Sequence, residues 1–163
     1  MSYYVADNTI VEEGVTIGEE TKIWYFSHIR EGAKIGSKCN IGDYCYIDKK
    51  VIVGNDCKIG NNVSVYEGAI LKDKIFIGNG TKFTNVRKPK AIKKAKKFLD
   101  TIIEDNVSIG ANCTIVGGVK IGRNSIIGDG AVVIGDIPED VFAVGNPAHI
   151  TKKKITNNEE ETK

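Results

Sequence analysis

Every sixth residue of this chain, counted from Val5, is bulky and apolar, and few folds can accommodate that rule. The series runs Val5, Val11, Ile17, Ile23, Ile29, Ile35, Ile41, Ile47, Val53, Ile59, Val65, Leu71, Ile77 and Phe83. It pauses once and resumes at Ile103, Ile109, Ile115, Ile121, Ile127 and Val133, which makes 20 hexads in all. Four residues after most of these stops sits a smaller one: Thr21, Ser27, Ala33, Cys39, Cys45 and Cys57, for example, and later Cys113, Ser125 and Ala131. Arg87 is the one charged exception, in the last hexad before the pause.

A period of six suits neither a helix of 3.6 residues per turn nor a plain two-residue strand alternation. It suits a short strand and a turn, repeated, and a fixed short period marks a solenoid, here a parallel β-helix. The large residue fills the interior and the small one fits beside the corner. The fourth position of the hexad is Asn or Gly in 11 of the 20, the residue types that best tolerate a left-handed backbone at a sharp corner. Three hexads per coil stack residues 18 apart, with coils about 4.8 Å from one another. The expected fold is all-β: one domain over residues 1–150, a loop protruding at about 89–102, and a frayed tail over 151–163. Within the loop, Pro89 opens a helical turn and Ile92, Ala95 and Leu99 fall at helical spacing, which predicts a short arm with one apolar face.

Composition narrows the function classes. The net charge is only +2, so bulk charge calls for no polyanionic partner, and the few aromatics are not interleaved with the basic residues as in a nucleic-acid binder. No apolar run reaches about 18 residues, so no membrane span is expected, and the first residues lack a basic-then-apolar leader; the expected location is the cytoplasm. Cys39, Cys45, Cys57 and Cys113 all occupy the small inward position, and their spacing matches no zinc pattern, so they read as small core residues. No metal is expected.

Stacking by 18 converts the sequence into columns. One corner column reads Glu13, Glu31, Lys49, Glu67, Asn85, and the column beside it reads Glu12, Arg30, Asp48, Tyr66, Thr84. The lower acids and Lys49 read as a solvated edge that pairs its own charges, worth about 0–1 kcal/mol per exposed pair, and Arg30 as either part of that edge or a site residue. Glu67 and Asn85 stand out because they lie where the repeat breaks its own rule, beside Arg87 and the loop; such violations tend to mark sites. Arg87, Lys88, Lys90, Lys93, Lys94, Lys96 and Lys97 put seven cations in 11 residues, either a solvated arm or a clamp for phosphates. His28 and His149 are the only histidines. A three-histidine metal hydratase is excluded by that count, and no histidine between residues 29 and 148 can deprotonate a hydroxyl acceptor. His28 reads as a substrate or subunit contact.

Several stretches resemble a known family. Ile23-Trp24-Tyr25-Phe26-Ser27-His28-Ile29-Arg30-Glu31-Gly32-Ala33, Val65-Tyr66-Glu67-Gly68, Phe83-Thr84-Asn85-Val86, the run Ile109 to Gly118, and Gly145-Asn146-Pro147-Ala148 are similar to the nucleotide-sugar N-acetyltransferases with a left-handed parallel β-helix of hexapeptide repeats. The resemblance covers about residues 5–150. It is nearest to enzymes that acetylate the 3-amino group of UDP-2-acetamido-3-amino-2,3-dideoxyglucuronate in surface-polysaccharide synthesis. It implies a homotrimer in which acetyl-CoA and the nucleotide sugar meet between subunits, with Asn85 positioning the sugar amine. The family's Asn-Pro-Arg is replaced here by Lys88-Pro89-Lys90, and lysine does not reproduce the bidentate fork of arginine.

On this reading the amine attacks the thioester directly, with Asn85 orienting it and Glu67 holding a sugar hydroxyl or receiving the proton. His28, Arg30, Tyr66, Thr84, Arg87 and Lys88 are the candidate substrate contacts. Gly110, Ala111, Gly117, Gly118 and Ala131 are the candidate acetyl-CoA contacts, the backbone N–H groups of the first four facing the thioester and pantetheine. Lys152 and Lys153 either meet the CoA phosphates or solvate the tail. Transfer to a dTDP-3-amino-3,6-dideoxyhexose, transfer to another small acceptor, and a non-catalytic β-helix used for assembly stay open at this point.

Overall fold

Two-residue strands are enough for this chain because each is stitched to an identical strand one coil above and one below. The computed structural model describes residues 2–92 and 97–153, without the side chains of Lys152 and Lys153. Its strands form three sheets of nine, seven and six members, the sides of a prism wound left-handed. Residues 18 apart pair in parallel register, as in Lys58↔Phe76 and Ile59↔Ile77. Across the loop the spacing widens to 32, as in Leu71↔Ile103 and Ile77↔Ile109, so the prism continues undisturbed. None of the described residues is helical, and no helix is long and apolar enough to cross a membrane.

The six-residue beat is the core. Ile23, Ile29, Ile41, Ile47, Ile59, Leu71, Ile77, Phe83, Ile103, Ile109 and Ile115 are fully buried, and each such side chain contributes about 1.5–3 kcal/mol by leaving water. The lowest coil has no coil beneath it, so Val11 is 39% exposed although it holds an inward position.

Corner geometry follows the sequence rule and exceeds it. The fourth hexad residue takes a left-handed φ not only at Asn and Gly but also at Glu20, Phe26, Lys38, Tyr44, Lys50, Asp56 and Lys74. The ladder of coils above and below imposes that conformation whatever the residue. The small inward residues have a second task besides fitting. Thr21 Oγ1 donates to the Gly36 carbonyl at 2.7 Å and Ser27 Oγ to that of Gly42 at 2.9 Å. Cys39, Cys45, Cys57 and Cys113 direct Sγ at the equivalent carbonyls of Gly54, Gly60, Lys72 and Gly128, at 3.0–3.2 Å. All four thiols are free and buried, and burial pushes the Cys45 thiol up to about 11.

The loop differs from expectation in three ways. Strand Thr101–Ile103 takes residues 101 and 102 back into the prism. Thr101, buried and in register with Ala69, supplies the inward residue of this coil, whereas Arg87 lies outside and exposed. The described part of the arm holds bends and no helical turn; Ile92 is 99% exposed, while Phe98 and Leu99 are half buried. Ala95, Lys93, Lys94 and Lys96 lie outside the described residues. At the far end, strand Val141–Val144 closes the first sheet, and strand His149–Lys153 pairs antiparallel to it, running three residues into the expected tail. Residues 154–163 lie outside the described residues.

Candidate active site

At two of the three corners, an Asn or Asp on one coil accepts the backbone N–H of the coil below. Asp43, Asn61 and Asn79 do so in succession at one corner, and Asn55, Asp73 and Asp105 at another. The third corner, Glu13-Glu31-Lys49-Glu67-Asn85-Gly117, works differently and carries the loop. There the acceptor comes from below. Glu12 Oε2 takes the Glu31 N–H at 2.9 Å, Asp48 Oδ2 the Glu67 N–H at 3.2 Å, and Thr84 Oγ1 the Gly117 N–H at 3.0 Å.

The lower part of this corner is a closed charge network. Glu12 Oε1 lies 2.7 Å from both His28 Nε2 and Arg30 Nε; the guanidinium contact is an ion pair without hydrogen-bond alignment. The Glu31 N–H, Arg30 and His28 hold the Glu12 carboxyl down to about 2. Arg30 Nη1 donates to Tyr46 Oη at 2.6 Å, and Tyr46 Oη reaches Asp48 Oδ1 at 3.3 Å. Lys49 pairs with Glu31 at 2.9 Å. His28 Nε2 and Arg30 Nε are thus both held against Glu12.

The upper part is open. Asn85 Nδ2 donates to the Glu67 carbonyl at 3.1 Å, and Oδ1 has no partner among the described residues. Leu99 N–H closes the base of the arm on the Asn85 carbonyl at 3.2 Å, and Thr101 N–H does the same on Gly68 at 2.9 Å. Arg87 Nε donates to the Gly117 carbonyl at 3.2 Å, which places its guanidinium over Gly118. Glu67 lines a groove of about 420 Å³ with Gly68, Ile70, Phe98 and Asp100. Tyr66 is exposed, its ring 5.5 Å from that of Tyr46. Lys88 is exposed on the arm.

The glycines answer to packing. A Cβ on Gly117 would lie 2.8 Å from Asn85 Cα, and one on Gly110 would lie 2.6 Å from Asp129 N. Nor are their N–H groups free for a thioester. Gly110 donates to Ile127 O, Ala111 to Asp129 Oδ1, Gly117 to Thr84 Oγ1 and Gly118 to Thr101 Oγ1. Ala131 is wholly buried and faces the core, so its side chain meets no cofactor. The four N–H groups are thus engaged within the prism and not free donors, contrary to expectation. The side chains of Lys152 and Lys153 lie outside the described residues.

Two residues at this corner escaped the sequence reading. Asp48, read as a solvated acid, holds the Glu67 backbone; its place directly below Tyr66, the residue before Glu67, was the available signal. Phe98 lines the groove, and the helical reading of the arm had selected Leu99 instead.

Known proteins share this architecture. The family described as bacterial transferase hexapeptide (six repeats) matches residues 14–49 and 100–135, and that described as hexapeptide repeat of succinyl-transferase matches 32–67 and 50–82. The chain thus carries hexapeptide repeats similar to those of bacterial transferases. A hexapeptide-repeat acetyltransferase from Vibrio cholerae superposes with a TM-score of 0.63 at 26% identity, over 85% of this chain and 73% of that one. The same Vibrio protein has also been solved with acetyl-CoA. A galactoside O-acetyltransferase of Lactococcus lactis is 36% identical over 98 residues, 54% of this chain and 47% of the relative. A 2,3,4,5-tetrahydropyridine-2,6-dicarboxylate N-acetyltransferase of Clostridium perfringens is 53% identical over 51 residues, 31% of this chain and 22% of the relative. The chain thus spans less than half the length of these curated relatives.

Proposed function

We propose that this hexapeptide-repeat protein is an acetyl-CoA-dependent N-acetyltransferase acting on the amine of a nucleotide-linked amino sugar. UDP-2-acetamido-3-amino-2,3-dideoxyglucuronate is the acceptor we put first. The observation that carries the reading is the Asn85 amide, held through Nδ2 with Oδ1 left unpartnered among the described residues, beside Arg87 and at the foot of the arm. An amide oxygen accepts from N–H but cannot take up a proton, so it suits an acceptor that needs orientation more than deprotonation. An uncharged amine is such an acceptor. The likeness to acetyltransferases, one of them solved with acetyl-CoA, supports the donor.

In the reaction, the acceptor nitrogen attacks the thioester carbonyl carbon. The N–C bond forms, the C–S bond breaks, and the proton shed by the amine ends on the CoA sulfur. Asn85 Oδ1 holds one amine hydrogen so that the lone pair faces the carbonyl, a gain in orientation rather than in acid–base strength. Glu67 lies in the groove beside it and binds a sugar hydroxyl or relays the amine proton. Arg87 uses only Nε on the protein, leaving its remaining N–H groups for the sugar carboxylate or the diphosphate. Tyr66 and Thr84 flank the acceptor, and Lys88 adds positive charge. His28 and Arg30 act indirectly by bracing the corner.

A prism corner is convex and buries little of a ligand by itself, whereas ligand sites are concave. The other wall comes, in this proposal, from a second copy of the chain in a homotrimer, with the arm reaching across.

The test is thiol release from acetyl-CoA with two parallel acceptors, the 3-amino-glucuronate above and dTDP-3-amino-3,6-dideoxyglucose. Turnover of the first supports the full reading. Turnover of the second alone keeps the chemistry and replaces the acceptor. Silence with both contradicts the proposal.

A further inference from the structure

One corner of the prism carries two aromatic rings in a column that otherwise holds only Asn or Gly. Phe26 and Tyr44 take the left-handed position just before strands of the seven-stranded sheet, with φ of 58° and 57°. The rest of the column is Asn8, Asn62, Gly80, Asn112 and Gly130, all at positive φ. No other aromatic among the described residues has a positive φ. A bulky side chain is strained there, and strain of this kind gathers at ligand sites. Neither ring gains burial in return: Phe26 is 51% exposed and Tyr44 61%. The two rings stack on each other, with centroids 5.2 Å apart and planes within 13°. The positions above Tyr44 are Asn62 and Gly80, so no third ring continues the pile.

A cation lies beside the open end of this stack. Lys82 Nζ donates to the Asn62 carbonyl, to Asn62 Oδ1 at 2.9 Å and to Ser64 Oγ at 3.3 Å. All three acceptors are neutral. Lys49 and Lys120 each pair with an acid, whereas no carboxylate among the described residues pairs with the half-buried Lys82. A charge left uncompensated in this way attracts an anion. Lys82 belongs to the outer row of the seven-stranded sheet, above Tyr46 and Ser64. The chain reaches Asn85 three residues further on. Tyr44 lies two coils lower, about 10 Å along the prism. An aromatic platform, a cation and Asn85 therefore follow one another across a single face, from one corner to the next.

We propose that Tyr44, backed by Phe26, and Lys82 form the subsite for the nucleoside diphosphate half of the acceptor. The inference rests on the nucleotide-sugar reading and deepens it. A planar base lies on the free face of Tyr44 and continues the pile; every base has a π-face, so the contact suits uracil and thymine alike. The diphosphate crosses the sheet past Lys82 and meets its charge. The sugar then arrives at the loop-bearing corner with its amine at Asn85. Arg87 is left to the sugar carboxylate.

Calorimetric titration with UDP and with dTDP tests the subsite apart from the chemistry. Tyr44→Asn installs the residue that the column carries at position 62 and removes the ring, while Tyr44→Phe keeps it. Lys82→Gln keeps a donor and removes the charge. The expected result is nucleotide binding weakened about 5- to 100-fold in Tyr44→Asn, weakened also in Lys82→Gln, and retained in Tyr44→Phe. KM for the nucleotide sugar rises in step, KM for acetyl-CoA does not, and the mass of the assembly stays that of the wild type. Tyr44→Asn should melt no lower than the wild type, because Asn tolerates the left-handed turn. Binding in Tyr44→Asn or Lys82→Gln equal to that of a binding wild type overturns the proposal. A rise in KM for acetyl-CoA overturns it too, since the platform would then serve the adenine of CoA. So does a changed assembly mass, which would make the rings a subunit contact. A wild-type protein that binds neither nucleotide fails one step earlier, and the nucleotide-sugar reading falls together with the subsite.

Discussion

The side-chain amide of Asn85 donates to the Glu67 carbonyl at 3.1 Å, and that bond fixes which way the amide faces. A carbonyl only accepts, so the NH2 group must meet Glu67 and the oxygen is left as a free acceptor. Asn85→Ala removes that acceptor and leaves the prism intact. We expect kcat to fall about 10²–10³-fold, the usual effect of losing a placed polar group at a reacting centre, with KM for acetyl-CoA little changed. Initial rates over both substrates check this.

Glu12 links acid sensitivity to the same corner. Its carboxyl is held down to about 2, first by the Glu31 N–H and then by Arg30 and His28. A carboxyl depressed in the folded state stabilises it above the unfolded value near 4.5, and that contribution is lost as pH falls toward about 2. Glu12→Gln should therefore flatten the decline in urea midpoint between about pH 4.5 and pH 2. A variant whose midpoint falls as steeply as the wild type contradicts the network.

Gly68 anchors the arm. It sits at φ +99, and a Cβ there would lie 2.5 Å from the Leu99 carbonyl oxygen. Gly68→Ala should cost about 1–3 kcal/mol and loosen the return of the arm at Leu99–Thr101. Faster tryptic cleavage between residues 87 and 97 would report it.

The inward thiols offer a test of the core. Cys39 Sγ lies 3.1 Å from the Gly54 carbonyl. Cys39→Ser keeps a donor and Cys39→Ala, of similar size, does not. The serine variant should be the more stable by about 1 kcal/mol in urea unfolding, since the alanine leaves a buried carbonyl short of a partner.

How legible was all this in the sequence? The beat from Val5 to Val133 gave the prism, the stacking by 18 and the site of the loop, because each inward residue is chosen by one local constraint repeated many times. The corner column ending in Asn85 was visible for the same reason. What stayed hidden were properties of direction. Spacing cannot say that Lys49 leans to Glu31 and away from Glu67, or that Arg30 is held by Glu12. It cannot say that the glycine N–H groups at 110 and 117 are already bonded, because glycine in a tight corner and glycine beside a ligand look alike in sequence. The arm misled for a related reason. Apolar residues three and four apart suggest a helix, but Phe98 and Leu99 are set by contact with the prism, and Thr101 belongs to the coil that begins there.

The central claim is that Asn85 directs an amine onto acetyl-CoA, and isotope transfer tests it most directly. With acetyl-CoA labelled in the acetyl carbon and the 3-amino sugar nucleotide as acceptor, the account predicts label in an amide at the sugar nitrogen, formed by the wild type and nearly abolished in Asn85→Ala. Label in an ester at a sugar hydroxyl, or an amide formed equally well by both proteins, would contradict it.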